Sequence, residues 1–141
     1  MLYTGTSRLS SEIAGDVIQQ IGKKESVLKR MQAMVNDAVE ILNSERDICE
    51  FGGLLNQSWL LKRQLSSRIS NDTIDKIYSI AMKNGAIGGK LLGAGASGFM
   101  VFFAPPENHH DIKEALHGYL HVPFRFETQG STLIHYSSEA A

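Results

Sequence analysis

Two clusters in this chain carry residue types that do chemistry. The first is the run Gly88-Gly-Lys-Leu-Leu-Gly-Ala-Gly-Ala-Ser-Gly-Phe-Met-Val-Phe-Phe103, with five glycines in eleven positions before a strongly β-forming stretch. Glycine reaches φ > 0 without steric cost and lets another surface approach the backbone closely. Gly93, Gly95 and Gly98 spell G-x-G-x-x-G. A dinucleotide fingerprint, however, opens a helix and has an acidic residue about 20 positions on, whereas Phe99 to Phe103 reads as strand. A Walker-type loop fails too, because Lys-Ser or Lys-Thr must follow its last glycine and Phe99-Met100 stands there. A glycine-rich turn between two strands remains. A tight hairpin needs only one or two glycines, and the surplus fits close approach by a phosphate group or by a neighbouring backbone.

The second cluster lies on a long helix expected from Asp47 to about Ile69. At about 100° per residue, Phe51, Leu54, Leu55, Leu61 and Leu65 share an apolar arc, and Lys62 falls inside it. An ammonium there must snorkel to water or meet an anion, because burying it unpaired is costly. Asn56, Trp59 and Arg63 flank the arc. An indole can cover the apolar face of a sugar ring, Asn56 can bond hydroxyls, and Arg63 with Lys62 can hold a phosphate. A tryptophan at a core edge beside two solvated cations accounts for the same pattern. A third segment, Thr4-Gly-Thr-Ser-Arg8, offers Thr6, Ser7 and Arg8 just before a helix, either as an anion or hydroxyl site or as a helix cap with a solvated arginine. Lys90, inside the glycine strand, faces either a cleft or solvent.

Other reactive types are poorly placed. His117 and His121 stand four apart on an expected helix but lack a third ligand, and the metalloprotease pattern would need Glu where Gly118 stands. No metal site is expected. Cys49, the single cysteine, cannot form an internal disulfide, which fits a reducing cytoplasm.

The elements that must position these residues follow from periodicity and breakers. Leu2 to Thr4 reads as a short strand. Helices are expected over Ser11 to Ile21, ended by Gly22, and over Glu25 to Asn43, where Val27, Met31, Met34, Ala38 and Ile41 recur at steps of three and four. Asp72 and Asp75 resemble a capping box opening a helix with the stripe Ile74, Ile77, Tyr78 and Ala81, closed by Gly85. After the glycine hairpin, Pro105-Pro106 ends the strand, Ile112 to Leu120 forms an amphipathic helix, and Phe124 to Thr128 with Thr132 to Tyr136 forms a closing hairpin. Four or five strands with helices on one face predict an α+β fold, a ferredoxin-like sandwich with additional helices.

With 141 residues, 43% of them hydrophobic, the chain suits one domain spanning residues 1–141. A net charge of -1 from 14 basic and 15 acidic residues gives no overall attraction to nucleic acid or to an anionic membrane. No apolar stretch approaches the ~20 residues of a membrane span. The start on a strand reads as a cut through a larger protein.

Lys90-Leu-Leu-Gly-Ala-Gly-Ala-Ser-Gly98 before a hydrophobic strand resembles the third, C-terminal motif of the GHMP small-molecule kinases. Leu2-Tyr-Thr-Gly-Thr-Ser-Arg8 and Asn56-Gln-Ser-Trp-Leu-Leu-Lys-Arg-Gln-Leu-Ser66 resemble the D-glycero-D-manno-heptose phosphate kinases within it, with the fucokinase-like sugar kinases next. The three segments occur in the family's order. One departure is Ala96-Ser97 where the family carries glycines. The resemblance implies a ferredoxin-like C-terminal domain of an ATP-dependent sugar kinase. Its N-terminal domain, with the Gly-Leu-Ser-Ser-like phosphate loop, the acidic catalytic residue and most of the Mg2+ and ATP contacts, is not in this sequence.

It also implies that Gly93, Ala94, Gly95, Ala96, Ser97 and Gly98 meet the nucleotide side. Thr6, Ser7, Arg8, Asn56, Trp59, Lys62, Arg63 and Lys90 would face a phosphorylated sugar, with no catalytic residue here and little or no activity for the chain alone. The implied partners are the N-terminal kinase domain and the sugar. The rival reading is a free-standing ferredoxin-like effector-binding or dimerisation module, to which pairing as a homodimer is open.

Overall fold

The computed structural model describes residues 1–5 and 10–134. Strand β1 (Leu2–Tyr3) is followed by helices α1 (Ser10–Asn43), α2 (Cys49–Arg63) and α3 (Asp72–Lys83). Strands β2 (Gly88–Leu91) and β3 (Phe99–Phe103), a 3-10 turn (Pro106–Asn108) and helix α4 (His109–Ala115) complete it. The α+β class holds. The sheet has three antiparallel strands among the described residues, in the order β1-β3-β2, rather than four or five. Leu2 pairs with Met100, and Gly88 to Leu91 pair with Phe103 to Met100.

The glycine hairpin forms as expected, with β2 and β3 as its arms and Leu92 to Gly98 as its loop. Met100 and Leu91, opposite each other in the register, are both fully buried. They join Leu2, Trp59, Ile69, Ile74, Ile77 and Leu116 in one core.

Several boundaries differ from expectation. Gly22 does not end a helix, and α1 runs unbroken for 34 residues. One glycine costs about 1 kcal/mol relative to alanine, too little to stop a helix with Lys23-Lys24-Glu25 after it. Helix α2 stops at Arg63, not at Ile69. The apolar spacing carries on because Leu65 and Ile69 remain in the core, but Ser66 bonds locally, its hydroxyl accepting from the Arg68 amide at 3.2 Å, and such serines compete with helix.

Asn71, rather than Asp72, caps α3, its side chain accepting from the Ile74 amide at 3.1 Å. Helix α4 ends at Ala115, so His117 and His121 do not share a helix. Their rings bond the Glu114 and Leu116 carbonyls instead. No strand forms over Phe124 to Thr128 or at residues 132–134. Phe126 and Ile134 are more than nine-tenths exposed, so this stretch has no sheet to alternate against. Residues 135–136 of the expected hairpin lie outside the described residues.

Candidate functional site

The site is built where α2 crosses β2. A Cβ added to Gly88 would lie 2.0 Å from the Gly52 carbonyl oxygen, and one added to Gly52 would lie 2.9 Å from the Ile87 side chain. Helix and strand therefore touch through backbone. From Gly52 to Lys62 the helix advances about 15 Å, and from Gly88 to Gly93 extended chain advances about 17 Å. The two segments run alongside each other in the same sense, which brings the last turn of α2 to the start of the glycine loop.

There the Lys62 ammonium donates to the Gly93 carbonyl at 2.6 Å and to the Leu91 carbonyl at 3.0 Å. Burial, with Lys90 beside it, lowers its pKa to about 8. Lys90 stands two residues from Gly88, so by strand alternation it shares the face that meets α2. It makes no ion pair with any described residue.

Three further anchors fix the loop. Its base closes through the Leu92 amide donating to the Phe99 carbonyl at 2.8 Å. Its far side lies on Ile69, whose carbonyl accepts from the Ala96 amide at 2.8 Å while Asn71 donates to the Ala96 carbonyl at 2.9 Å. A Cβ on Gly95 would meet the Ile69 Cα at 2.9 Å. Its end is pinched by buried Thr4, which donates its amide to the Gly98 carbonyl and accepts the Gly98 amide on its hydroxyl at 3.1 Å.

Held this way, Gly93, Gly95 and Gly98 have φ of 73°, 133° and 110°, and Ala96 sits at 62°. Ser97 donates its amide to the Gly95 carbonyl. The amides of Gly93 and Ala94 bond no described residue, and no described atom lies within 4 Å of where a Gly93 or Gly98 Cβ would be. Open main-chain amides on such a loop suit an anion with several acceptor oxygens.

The expected sugar wall does not assemble on α2. Trp59 is fully buried, its ring centroid 6.3 Å from that of Tyr78 on α3, so it offers no face to a sugar. Its indole N-H lacks a partner among the described residues. Asn56 accepts the Tyr78 hydroxyl, whose pKa burial raises, so it stays a donor. Arg63 lies over the Trp59 ring and donates to Asp75 at 2.7 Å, while Ser70 holds the other Asp75 oxygen. Asn56, Trp59 and Arg63 thus knit α2 to α3, and Lys62, one residue and about 100° round the helix from Arg63, turns to the loop instead. Lys62 and Arg63 do not converge on one phosphate.

Thr6, Ser7 and Arg8 lie outside the described residues. Sequence reasoning missed Thr4, Ile69 and Asn71. Thr4 and Asn71 had polar side chains as a signal; Ile69 acts through its carbonyl and had none. Among the described residues no three His, Cys, Asp or Glu side chains cluster as a metal site would require, and no helix is long and apolar enough to cross a membrane.

Comparison with known proteins accords with this architecture. Residues 31–121 match the family described as GHMP kinases C terminal. The chain is 33% identical over 135 residues to a D-glycero-alpha-D-manno-heptose 7-phosphate kinase of Campylobacter jejuni, covering 92% of this chain and 39% of that protein. It is 28% identical over 109 residues to a bifunctional fucokinase/GDP-fucose pyrophosphorylase of Arabidopsis thaliana, covering 74% of this chain and 10% of that one. The fold superposes on the L. major mevalonate kinase crystallised with R-mevalonate with a TM-score of 0.72 and 25% identity, over 83% of this chain and 36% of that chain. The chain thus spans about two fifths or less of each of these three proteins, and it belongs to the family of GHMP kinase C-terminal domains.

Proposed function

We propose that this chain is the C-terminal part of an ATP-dependent sugar kinase of the heptose phosphate type, completed by an N-terminal kinase domain that holds most of the Mg2+-bound nucleotide. The observation that carries the reading is the glycine loop, whose Gly93 and Ala94 amides bond no described residue. These residues fit a phosphate chain, and the loop from Gly93 to Gly98 is its wall in this half. The nucleotide would supply the phosphoryl group. What this chain contributes is positioning and charge neutralisation, the main protein contributions to phosphoryl transfer.

The acceptor side draws on Lys90 and on Thr6, Ser7 and Arg8 in the segment after β1. Asn56 and Arg63 border it as scaffold, each already bonded to α3. The heptose kinase likeness, over 92% of this chain, supports a phosphorylated sugar as acceptor, and the absence of an acidic catalytic residue in the loop leaves proton abstraction to the other domain. The cytoplasm, where ATP and sugar phosphates meet, is the compartment this reading requires.

The test is phosphate transfer from Mg-ATP by the full-length gene product, offered heptose 7-phosphate, fucose and galactose in parallel and followed by mass spectrometry. Transfer to heptose 7-phosphate, with none from the 141-residue chain alone, is the expected result. A full-length protein that binds ATP yet phosphorylates none of the three would overturn the sugar kinase reading and favour an effector-binding module.

A further inference from the structure

The two carbonyls bonded to Lys62 give it a narrower task than that of one cation among several. We propose that Lys62 is the positioning residue of the glycine loop, holding the Leu91 and Gly93 carbonyls on its own side so that the Ala94 amide faces the opposite side, toward the nucleotide phosphates. The inference rests on the reading of the loop as a phosphate wall.

The geometry is that of the peptide plane. A trans peptide points its C=O and N-H in opposite directions. The Leu91 carbonyl and the Leu92 amide share one plane. With the carbonyl on Lys62 at 3.0 Å, the amide points away and closes the hairpin on the Phe99 carbonyl at 2.8 Å. The next bond repeats the device. The Gly93 carbonyl lies 2.6 Å from the Lys62 ammonium, so the Ala94 amide must point away from it, and there it bonds no described residue. Gly93, at φ 73°, supplies the left-handed turn that presents two carbonyls, those of Leu91 and Gly93, to a single ammonium.

An anion ligand would be an inferior role for this lysine. Two of its three donors are committed to the Leu91 and Gly93 carbonyls, and turning the ammonium fully onto a phosphate would leave those acceptors unsatisfied in a half-buried place. The charge of Lys62 strengthens its two bonds, which explains why a costly half-buried lysine occupies an apolar arc.

The test uses the full-length protein with Lys62→Met, which keeps the stem length and removes the donors, and Lys62→Arg, which keeps donors and charge. The readouts are binding of a non-hydrolysable ATP analogue by calorimetry and the separate KM values for ATP and sugar phosphate. For Lys62→Met the expected result is a rise of about tenfold in the analogue's Kd and in the ATP KM, equivalent to about 1.4 kcal/mol, with the sugar KM within twofold of wild type. Lys62→Arg is expected to recover most of the loss.

In the 141-residue chain, faster hydrogen exchange at the Leu92 amide in Lys62→Met, with the amides of β1 unchanged, provides a readout that needs no nucleotide. A raised sugar KM with an unchanged ATP KM would overturn the proposal and make Lys62 an acceptor ligand. Wild-type affinity for the analogue in Lys62→Met would overturn it as well. Failure of the wild-type protein to bind the analogue would instead remove the phosphate-wall reading beneath it.

Discussion

Gly88→Ala is the substitution that most directly tests how the site is built. Its Cβ would stand 2.0 Å from the Gly52 carbonyl oxygen and 2.8 Å from the Asn56 amide nitrogen, both backbone atoms. Real Cβ atoms essentially never come within 3.0 Å, so α2 must move away from β2 by 1 Å or more. No rotamer change can absorb that. Overpacking costs about 1–3 kcal/mol when side chains can adjust, and a clash with the backbone of α2 puts this case at the upper end, about 3 kcal/mol. For a domain of this length each kcal/mol is worth roughly 4 °C in Tm, so a fall of about 12 °C is expected.

The same displacement reaches the loop. The Lys62 bonds at 2.6 and 3.0 Å can lengthen by less than about 1 Å before they pass about 3.5 Å and are lost. A 1 Å retreat of α2 breaks at least one of them. Gly53→Ala is the control: it sits on the same helix with no described atom within 4 Å of its Cβ position, and should stabilise by about 0.5–1 kcal/mol through reduced unfolded-state entropy. Urea denaturation followed by circular dichroism measures both. A Gly88→Ala protein within 1 kcal/mol of wild type, or one no less stable than Gly53→Ala, would refute the claim that backbone contact sets the helix-to-strand distance.

Other measurements bear on separate parts of the structure. Lys62 has a folded pKa of about 8, below the ordinary 10.5, so between those values the unfolded chain binds a proton that the folded chain does not. Its contribution makes stability rise with pH across that window, by at most about 1.4 kcal/mol per pH unit, and urea titrations of wild type against Lys62→Met read the difference; a wild-type curve that falls relative to the variant would contradict the burial of the ammonium. Ala96 at φ 62° carries left-handed strain of about 1–2 kcal/mol, which glycine would relieve while losing a buried methyl and gaining unfolded-state freedom. Ala96→Gly should therefore stay within about 1 kcal/mol of wild type by thermal melting, and a larger loss would mean that the methyl packs better than the strain costs. Trp59, the single tryptophan, is fully buried, so its emission should be blue-shifted, resist acrylamide, and not change when the sugar phosphate binds. Strong quenching by a bound sugar would return the indole to the binding wall.

The parts legible in the sequence are those written in local signals. Gly88 to Phe103 gave a hairpin because surplus glycines next to a run of β-formers leave few other structures. The α3 stripe of Ile74, Ile77 and Ala81 is buried as its spacing required. The wheel of α2 located Lys62 on the apolar arc, and its deduction that a buried ammonium needs a partner was sound. The partner was missed because main-chain carbonyls are acceptors at every residue and leave no mark in the sequence. Trp59 shows the same limit from the other side. A wheel gives its angle on α2, yet only tertiary placement decides that Tyr78 and α3 cover that flank. Asn56, Trp59 and Arg63 looked like a ligand-binding set because polar groups around an indole serve a buried helix contact as readily as a sugar.

The glycines themselves separate scaffold from ligand surface. Gly88 and Gly95 are small because the chain's own backbone occupies the space a Cβ would need, Gly52 because the Phe103 and Ile87 side chains do, and Gly89 because the Phe102 ring and the Val101 carbonyl do, and none of the four has room left for a ligand. Gly93 and Gly98 have positive φ and no described neighbour within 4 Å of the Cβ position. Among the described residues of the loop, close approach from outside is open along the rim at Gly93, where the Gly93 and Ala94 amides bond no described residue. Alanine at Gly93 would meet no described atom but would be strained by its dihedral, about 1–2 kcal/mol, and would add a methyl to that rim. Substitutions at Gly52 and Gly88 act through the position of α2, whereas a substitution at Gly93 acts on whatever the loop receives.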